Sequence, residues 1–170
     1  MLLQKCRRIR THRIGIRKER GIHTVETLML IATFCIVPAQ LASIAFGWSV
    51  LLSGAHFTGF CIGMFSDVIF LISVLCMKDS WRAGIPEKDK TELVTGGIYS
   101  FSRNPAFLGF DFMYIGVALM YLHILTAAFS IFAIVMLHLQ ILQEEKYMES
   151  TFGESYLQYK KKVFRYLGRR

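Results

Sequence analysis

The chain has 170 residues, enough for one domain and too few for two of ordinary size. Hydrophobic residues make up 54% of it, and all 20 Lys and Arg residues, which produce the net charge of +8, lie in the segments 1–20, 78–103 and 146–170. This segregation excludes a water-soluble globular protein. No nucleic-acid partner is expected, because anionic lipid headgroups account for basic flanks.

The N-terminal segment, residues 1–24, is basic and is followed by two long apolar stretches. A bilayer core requires about 20 apolar residues per helix, so we predict membrane spans near 27–46 and 57–77. The run LMLIATFCIVPAQLA is similar to a secretory signal, but apolar residues continue past any cleavage point, so a retained helix is expected. The four cysteines lack the close spacing of metal ligands, and no metal site is expected.

Residues 78–104 form a polar loop that is long for a structureless connection, and loops of this length tend to be functional. The Gly96–Gly97 pair permits unusual backbone angles, and Pro105 suits the first turn of a helix. We therefore expect a third span to begin at Pro105, with Arg103 and Asn104 just outside it. Unpaired backbone N–H groups at such a helix start favour anions.

The third and fourth spans are predicted near 106–122 and 124–143, and residues 144–170 form a polar tail. In this tail the sequence ESYLQYKKKVFRYL repeats apolar and aromatic residues at helical spacing between basic ones. The pattern predicts an amphipathic helix that suits the membrane interface. The same helix could fold back over the central loop and close a pocket.

The predicted fold class is therefore an all-α integral membrane protein, with about four transmembrane helices in an antiparallel bundle, a cytosolic loop and a C-terminal amphipathic helix. Because every basic flank lies on one side of the spans, the positive-inside tendency predicts cytoplasmic N- and C-termini. We treat the chain as a single membrane domain, divided into 1–24, 25–77, 78–104, 105–143 and 144–170.

Two motifs occur in the second half of the chain. ELVTGGIYSFSRNPAFLG is followed, some forty residues on, by EEKYMESTFGESYLQYKKKV. In this order, and separated by a helical hairpin, they resemble the isoprenylcysteine carboxyl methyltransferase family, which is akin to the phospholipid methyltransferases. The resemblance implies a membrane methyltransferase that uses S-adenosylmethionine and acts on a membrane lipid or a lipid-linked small molecule.

The resemblance also implies a cofactor site. By position, the matching residues are Thr91, Glu92, Leu93, Val94, Tyr99, Asn104, Pro105, Ala106, Phe107 and Glu144. These residue types suit the cofactor, because aromatic faces attract a sulfonium or stack on adenine. A carboxylate such as Glu144 can accept hydrogen bonds from an ammonium or from ribose hydroxyls.

The chain departs from the family at two places. The usual RHPxY is RNPAF here, so Asn104 and Phe107 replace an imidazole and a phenol. At the position of the arginine that the family assigns to the substrate stands Gln140, which carries no charge for a bidentate carboxylate pair. Gln140 and Asp111 are our candidate substrate contacts, since a carboxylate within a membrane span is by default a functional hypothesis.

The acceptor decides which catalytic groups are needed. A carboxylate acceptor is already ionised and needs only alignment and the exclusion of water, with Arg103 or His138 compensating for the missing arginine. An amine or alcohol acceptor requires proton removal, by His138, Glu145 or Asp111. The candidate catalytic residues are therefore Glu145, His138 and Arg103.

Three functions remain open on the sequence. The first is O-methylation of a lipid-linked carboxylate, with a phospholipid N-methyltransferase as the near alternative. The second is a membrane reductase that binds NADPH, since steroid reductases carry a similar SRxPxY loop. The third is a membrane scaffold that retains an inactive site.

Overall fold

The computed structural model describes residues 20–47, 53–78 and 92–170. Within these ranges the chain is helical and contains no strand. It forms the helices α1 (Arg20–Ala45), α2 (Ser53–Met77), α3 (Pro105–Met120), α4 (Ile124–Phe152) and α5 (Glu154–Lys162), with a 3-10 turn at Gly97–Ser100 before α3. The predicted all-α fold class is confirmed.

Three of the described helices are long and apolar enough to cross a bilayer, within the spans Thr24–Ala45, Gly54–Met77 and Ile124–Phe152. Helix α3 is apolar but has 16 residues, so it is shorter than a typical span. It begins at Pro105, as predicted. Helix α4 continues past the predicted end at residue 143, because residues 144–152 favour helix and nothing interrupts them before Gly153, which has a φ of 52°.

Helices α2 and α3 run antiparallel and approach each other closely at glycines. A Cβ atom added to Gly59 would lie 2.5 Å from the carbonyl oxygen of Gly116, and one added to Gly116 would lie 2.8 Å from the carbonyl oxygen of Gly59. Nearer the other end of the pair, the Ser66 hydroxyl donates a hydrogen bond of 2.8 Å to the carbonyl oxygen of Gly109. Small residues and interhelical hydrogen bonds are typical contacts between helices in lipid.

Helix α1 packs against α4 through an apolar cluster. Its buried members are Met29, Ala32, Ile36, Tyr114, Ala133, Met136 and Leu137. Near the C-terminal end of α1 and the N-terminal end of α4, the buried hydroxyls of Ser43 and Thr126 share a hydrogen bond of 2.5 Å. Tyr114 comes from α3, so the cluster joins three helices around one core.

The outer faces of the long helices are apolar, with exposed large side chains such as Phe34, Phe57 and Ile124. Such faces are expected where lipid replaces water as solvent. Asp67 lies on the exposed side of α2 rather than against another helix. The position of Asp67 therefore gives no support for a role in a pocket.

The tail folds back onto the central loop. Tyr156, Tyr159 and Val163 are buried together, with Leu93 from the loop packed against them. Helix α5 ends at Lys162 because Val163 is extended, so Tyr166 lies outside the helix that the sequence spacing suggested. The backbone then pairs with the segment before α3: the Arg103 amide donates to the carbonyl of Phe164, at 3.1 Å, and the Gly168 amide to that of Phe101, at 2.7 Å.

Candidate functional site

Glu145 is the centre of an ion-pair cluster where α3, α4 and the tail meet. Its side chain is 5% exposed. Arg165 donates two hydrogen bonds to it, from Nε to Oε1 at 3.1 Å and from Nη2 to Oε2 at 3.0 Å. Arg103 adds a contact from Nη2 to Oε1 at 3.1 Å, and Asn104 donates from Nδ2 to Oε1 at 3.3 Å. Both carboxylate oxygens therefore have partners.

The cluster stabilises the charged state of Arg165. The hydrogen bond from Arg165 to Glu145 is the main reason that the pKa of the Arg165 guanidinium is raised above its usual value. A buried carboxylate needs a paired cation, because the desolvation of an unpaired charge costs roughly several kcal/mol. Use of Glu145 as a base would compete with the four donor contacts that Arg103, Asn104 and Arg165 make to its oxygens.

Asn104 connects this cluster to the start of α3. Its Nδ2 also donates to the backbone carbonyl of Arg165, at 3.2 Å, and its backbone amide donates to the Ser102 hydroxyl, at 3.1 Å. The next residue, Pro105, is the first residue of α3 and is buried, where a missing N–H has no cost. The Asn104 side-chain amide therefore donates both to the Glu145 carboxylate on α4 and to the backbone of the tail.

Tyr99 lies in the 3-10 turn and is buried beneath the tail. The Tyr159 hydroxyl donates to the backbone carbonyl of Tyr99, at 2.6 Å. Burial is the main reason that the pKa of the Tyr99 phenol is raised, and Tyr159, Cys76 and Glu144 add smaller contributions. Tyr99 and Glu144 are therefore close enough to interact electrostatically.

Gly97 makes this turn possible. Its φ is 60°, a conformation that favours glycine, and an added Cβ would lie 2.8 Å from the sulfur of Cys76 on α2. The Gly-Gly pair in the sequence thus marks a close approach of the loop to α2.

Glu144 and Gln140 lie one turn apart on α4. The Gln140 Nε2 donates to the Glu144 Oε1 at 3.1 Å. Gln140 is 1% exposed, and its Oε1 accepts no hydrogen bond from any described residue. A buried acceptor without a donor is costly, so this oxygen is a place where a ligand donor would be stabilised.

His138 and Tyr166 form a second polar contact, and Asp111 lies within electrostatic range of Tyr166. The His138 Nδ1 and the Tyr166 hydroxyl are 2.5 Å apart, and their rings stack with centroids 5.9 Å apart. Burial, followed by the nearby charge of Asp111, raises the pKa of Tyr166. The Asp111 Oδ1 is buried and has no hydrogen-bond partner within the described part of the chain.

The remaining predicted site residues are spread around these groups. Glu92 is exposed, Leu93 and Val94 are half-buried, and Ala106 is buried. Phe107 packs against the apolar cluster of α1 and α4, which turns its ring toward the protein core. Thr91 lies outside the described residues.

Sequence reasoning missed two residues of the site, Arg165 and Tyr166. Both lie in a tail whose basic and aromatic residues were interpreted as interfacial. A signal existed, since two adjacent carboxylates, Glu144 and Glu145, require nearby cations wherever they are buried. The sequence offers several cations at similar spacing, however, and only the return of the tail to α4 selects Arg165.

Comparison with known proteins agrees with the position of these motifs. Residues 81–155 match the phospholipid methyltransferase family. Over 72 residues the chain is 39% identical to the protein-S-isoprenylcysteine O-methyltransferase of Schizosaccharomyces pombe and 40% identical to that of Saccharomyces cerevisiae.

Each of these alignments covers 42% of this chain and 30% of the relative, so the chain matches less than a third of either protein's length. No solved structure matches the chain. The predicted resemblance to an isoprenylcysteine methyltransferase-like family is therefore confirmed, over the segment that contains the central loop, α3 and α4.

Proposed function

We propose that the protein is an integral membrane methyltransferase, which transfers a methyl group from S-adenosylmethionine to a lipid-like or lipid-linked acceptor. The observation that carries the proposal is that Gln140 and Glu144, hydrogen-bonded to each other on α4, lie within electrostatic range of Tyr99 in the turn before α3, inside the segment similar to methyltransferases. Asn104 lies beside them through its bond to Glu145.

The residues present suit the cofactor. S-adenosylmethionine carries an ammonium, an adenine amine and ribose hydroxyls, all of which donate hydrogen bonds. The buried Oε1 of Gln140 accepts none from the described residues, and the Glu144 carboxylate stands next to it. We assign these two side chains to cofactor donors, with Tyr99, Thr91–Val94 and Asn104–Phe107 as further contacts by resemblance. The bound cofactor would supply an electrophilic methyl group on a sulfonium.

The depth of the site suits a lipid acceptor. At about 1.5 Å per residue, the first ~20 residues of α4, from Ile124 to Gln143, cross a hydrocarbon core of roughly 30 Å. Glu144 and Glu145 then lie at the boundary between core and headgroups. A polar cofactor at this boundary would meet an acceptor whose apolar part stays in the bilayer.

The side chains of the ion-pair cluster position the site rather than react. Glu145 holds Asn104, Arg103 and Arg165, and thereby fixes the start of α3 and the tail against α4. Burial of the α5 residues Tyr156 and Tyr159 excludes water from the same region. Alignment of the reactants and exclusion of water are the main requirements when the acceptor is already ionised.

O-methylation of a carboxylate, as in the isoprenylcysteine relatives, is our first proposal for the reaction. The acceptor carboxylate would need a cation, and Gln140 provides none. Arg103 is a candidate, because its Nη2 pairs with Glu145 while its Nε and Nη1 have no hydrogen-bond partner among the described residues.

N-methylation of a phospholipid amine is the second proposal, and a different observation favours it. An amine must lose a proton, and Asp111 is a half-buried carboxylate within electrostatic range of Tyr166, with one oxygen that has no hydrogen-bond partner among the described residues. An uncharged residue at position 140 also suits an acceptor that is not an anion.

Titration calorimetry on the protein in lipid nanodiscs tests the proposal. S-adenosylmethionine is expected to bind, Glu144→Gln to weaken binding by on the order of tenfold or more through loss of a charge-assisted hydrogen bond, and Glu154→Gln, an exposed position on α5, to leave it unchanged. Transfer of a labelled methyl group into a total lipid extract then identifies the acceptor. Binding of NADPH in place of S-adenosylmethionine would contradict the proposal and favour a reductase.

A further inference from the structure

A basic groove of about 500 Å³ lies on the outside of the ion-pair cluster, between the end of α4, helix α5 and the tail. Charged side chains dominate its lining: Arg103, Glu149, Lys160, Lys161, Arg165 and Arg170. The groove is separate from the contacts of Tyr99, Gln140 and Glu144, since none of these three residues lines it. We refer to it below as the basic groove.

The charges of the basic groove do not balance. Lys160 pairs with Glu149, and Arg165 pairs with Glu145. Lys161 and Arg170 have no carboxylate partner among the described residues. The Arg170 guanidinium lies over the ring of Phe164, 5.1 Å from its centroid, which holds a cation at the rim of the groove. A surplus of positive charge therefore faces the opening.

Arg103, at the inner wall of the groove, has hydrogen-bond donors without acceptors. Its side chain is 6% exposed and pairs with Glu145 through Nη2. Its Nε and Nη1 have no hydrogen-bond partner within the described residues. Guanidinium nitrogens in such a position are costly unless an acceptor is supplied, and phosphate oxygens are acceptors that match their geometry.

The position of the groove along the membrane normal indicates which molecule supplies the phosphate. Glu149 lies six residues beyond Gln143, or about 9 Å past the end of the hydrocarbon core on the estimate given above. That is the depth of lipid headgroups. The groove also has apolar lining from Leu157 and Phe164, both of them exposed, which a free inorganic anion would not contact favourably.

We propose that the basic groove binds the phosphate of an anionic lipid headgroup, with Arg103, Lys161 and Arg170 around the phosphate and Leu157 and Phe164 against the lipid's apolar part. Binding of the lipid would anchor α5 and the tail at the membrane surface. Because these elements cover Tyr99 and pair with Glu145, the lipid would stabilise the closed arrangement of the site. The inference shares Arg103 with the proposed function, which offers this cation to an acceptor carboxylate, so the test below rests on Lys161 and Arg170, which have no role in that reaction.

The test uses the full chain in a zwitterionic detergent, with thermal unfolding followed during titration of short-chain phosphatidylglycerol, phosphatidylcholine or inorganic phosphate. Phosphatidylglycerol is expected to raise the unfolding temperature in a saturable manner, because a ligand that binds only the folded state stabilises it. The double variant Lys161→Gln, Arg170→Gln is expected to weaken this binding by on the order of tenfold or more.

Lys162→Gln is the matched control. Lys162 is exposed, adjacent on the same helix and equally charged, but it does not line the groove. Removal of the Lys162 charge is expected to change the affinity for phosphatidylglycerol by less than about threefold, because a single exposed charge outside the groove is largely screened. Three results would overturn the proposal: equal losses in Lys162→Gln and the double variant, equal binding of phosphatidylcholine, or inorganic phosphate binding as tightly as the lipid.

Discussion

Glu145 and Arg165 form a bidentate ion pair, with donor–acceptor distances of 3.1 and 3.0 Å, between the buried end of α4 and the tail twenty residues later. The pair closes a loop that contains α5, and it brings Arg103 and Asn104 into the same cluster. One carboxylate thus connects three parts of the chain that are remote in sequence.

Replacing Glu145 with Gln is expected to destabilise the protein strongly. The change leaves Arg103 buried without its counter-charge, and breaking a buried pair costs ~3–5 kcal/mol. We expect the lower end of this range, because Arg165 is partly exposed. Thermal unfolding in detergent provides the measurement.

Glu149→Gln is the control for this prediction. Glu149 pairs with Lys160 at the surface, where such pairs contribute about 0–1 kcal/mol. If the two variants unfold at the same temperature, the cluster around Glu145 does not have the structural role that we give it.

Stability is expected to fall as the pH rises above 10. Burial raises the pKa values of Tyr99, Tyr156 and Tyr159 above 10.0, the ordinary value. The folded state therefore keeps protons that the unfolded state releases above pH 10, and stability decreases until the folded-state pKa values are reached. Below pH 10 these three groups have no such effect.

Comparison of Tyr159→Phe with the wild-type protein tests the origin of this alkaline loss. The variant lacks the hydroxyl that bonds to the Tyr99 carbonyl, at a cost of about 1 kcal/mol near neutral pH. It also has one buried phenol fewer, so its unfolding temperature should decrease less steeply than that of the wild type between about pH 9.5 and 11. An equal or steeper decrease in the variant would assign the alkaline loss to other groups.

Two glycines on α2 are expected to differ in their tolerance of alanine. Gly59→Ala places a methyl group 2.5 Å from the carbonyl oxygen of Gly116, and overpacking of this kind costs roughly 1–3 kcal/mol. Gly63→Ala meets nothing within 4 Å and should be neutral or slightly stabilising, because alanine favours helix. Unfolding of both variants in the same detergent is the measurement, and a reversed order would show that α2 and α3 do not cross at Gly59.

Asp67→Leu is expected to stabilise the protein in a bilayer. Asp67 lies on the exposed face of α2, near the middle of the span Gly54–Met77, and a charged residue at the centre of a membrane helix costs about 2.5–3.5 kcal/mol on insertion scales. The yield of membrane-inserted protein and its resistance to unfolding in nanodiscs should both increase. A loss of stability would indicate that the carboxylate contacts a partner outside the described residues.

Hydropathy along the chain determined the helical membrane class and the position of α3. A run of apolar residues is a local property, and the cost of exposing polar backbone in lipid leaves helix as the conformation of such a run. Pro105 marked the helix start for an equally local reason, since its fixed φ and missing N–H suit the first turn. The motifs around Asn104 and Glu144 likewise indicated the family resemblance, because sequence similarity requires no knowledge of packing.

Only the tertiary structure decided which charges meet and which faces are buried. Asp67 and Asp111 look alike in sequence, as single carboxylates within apolar runs, yet one faces outward and the other lies beside Tyr166. The choice of Arg165 as the partner of Glu145 depends on the turn at Gly153 and on the pairing of the tail with the segment before α3. Both results depend on how each helix is rotated about its own axis and on how the tail folds back onto α4. Such long-range contacts depend on the whole chain rather than on any local pattern.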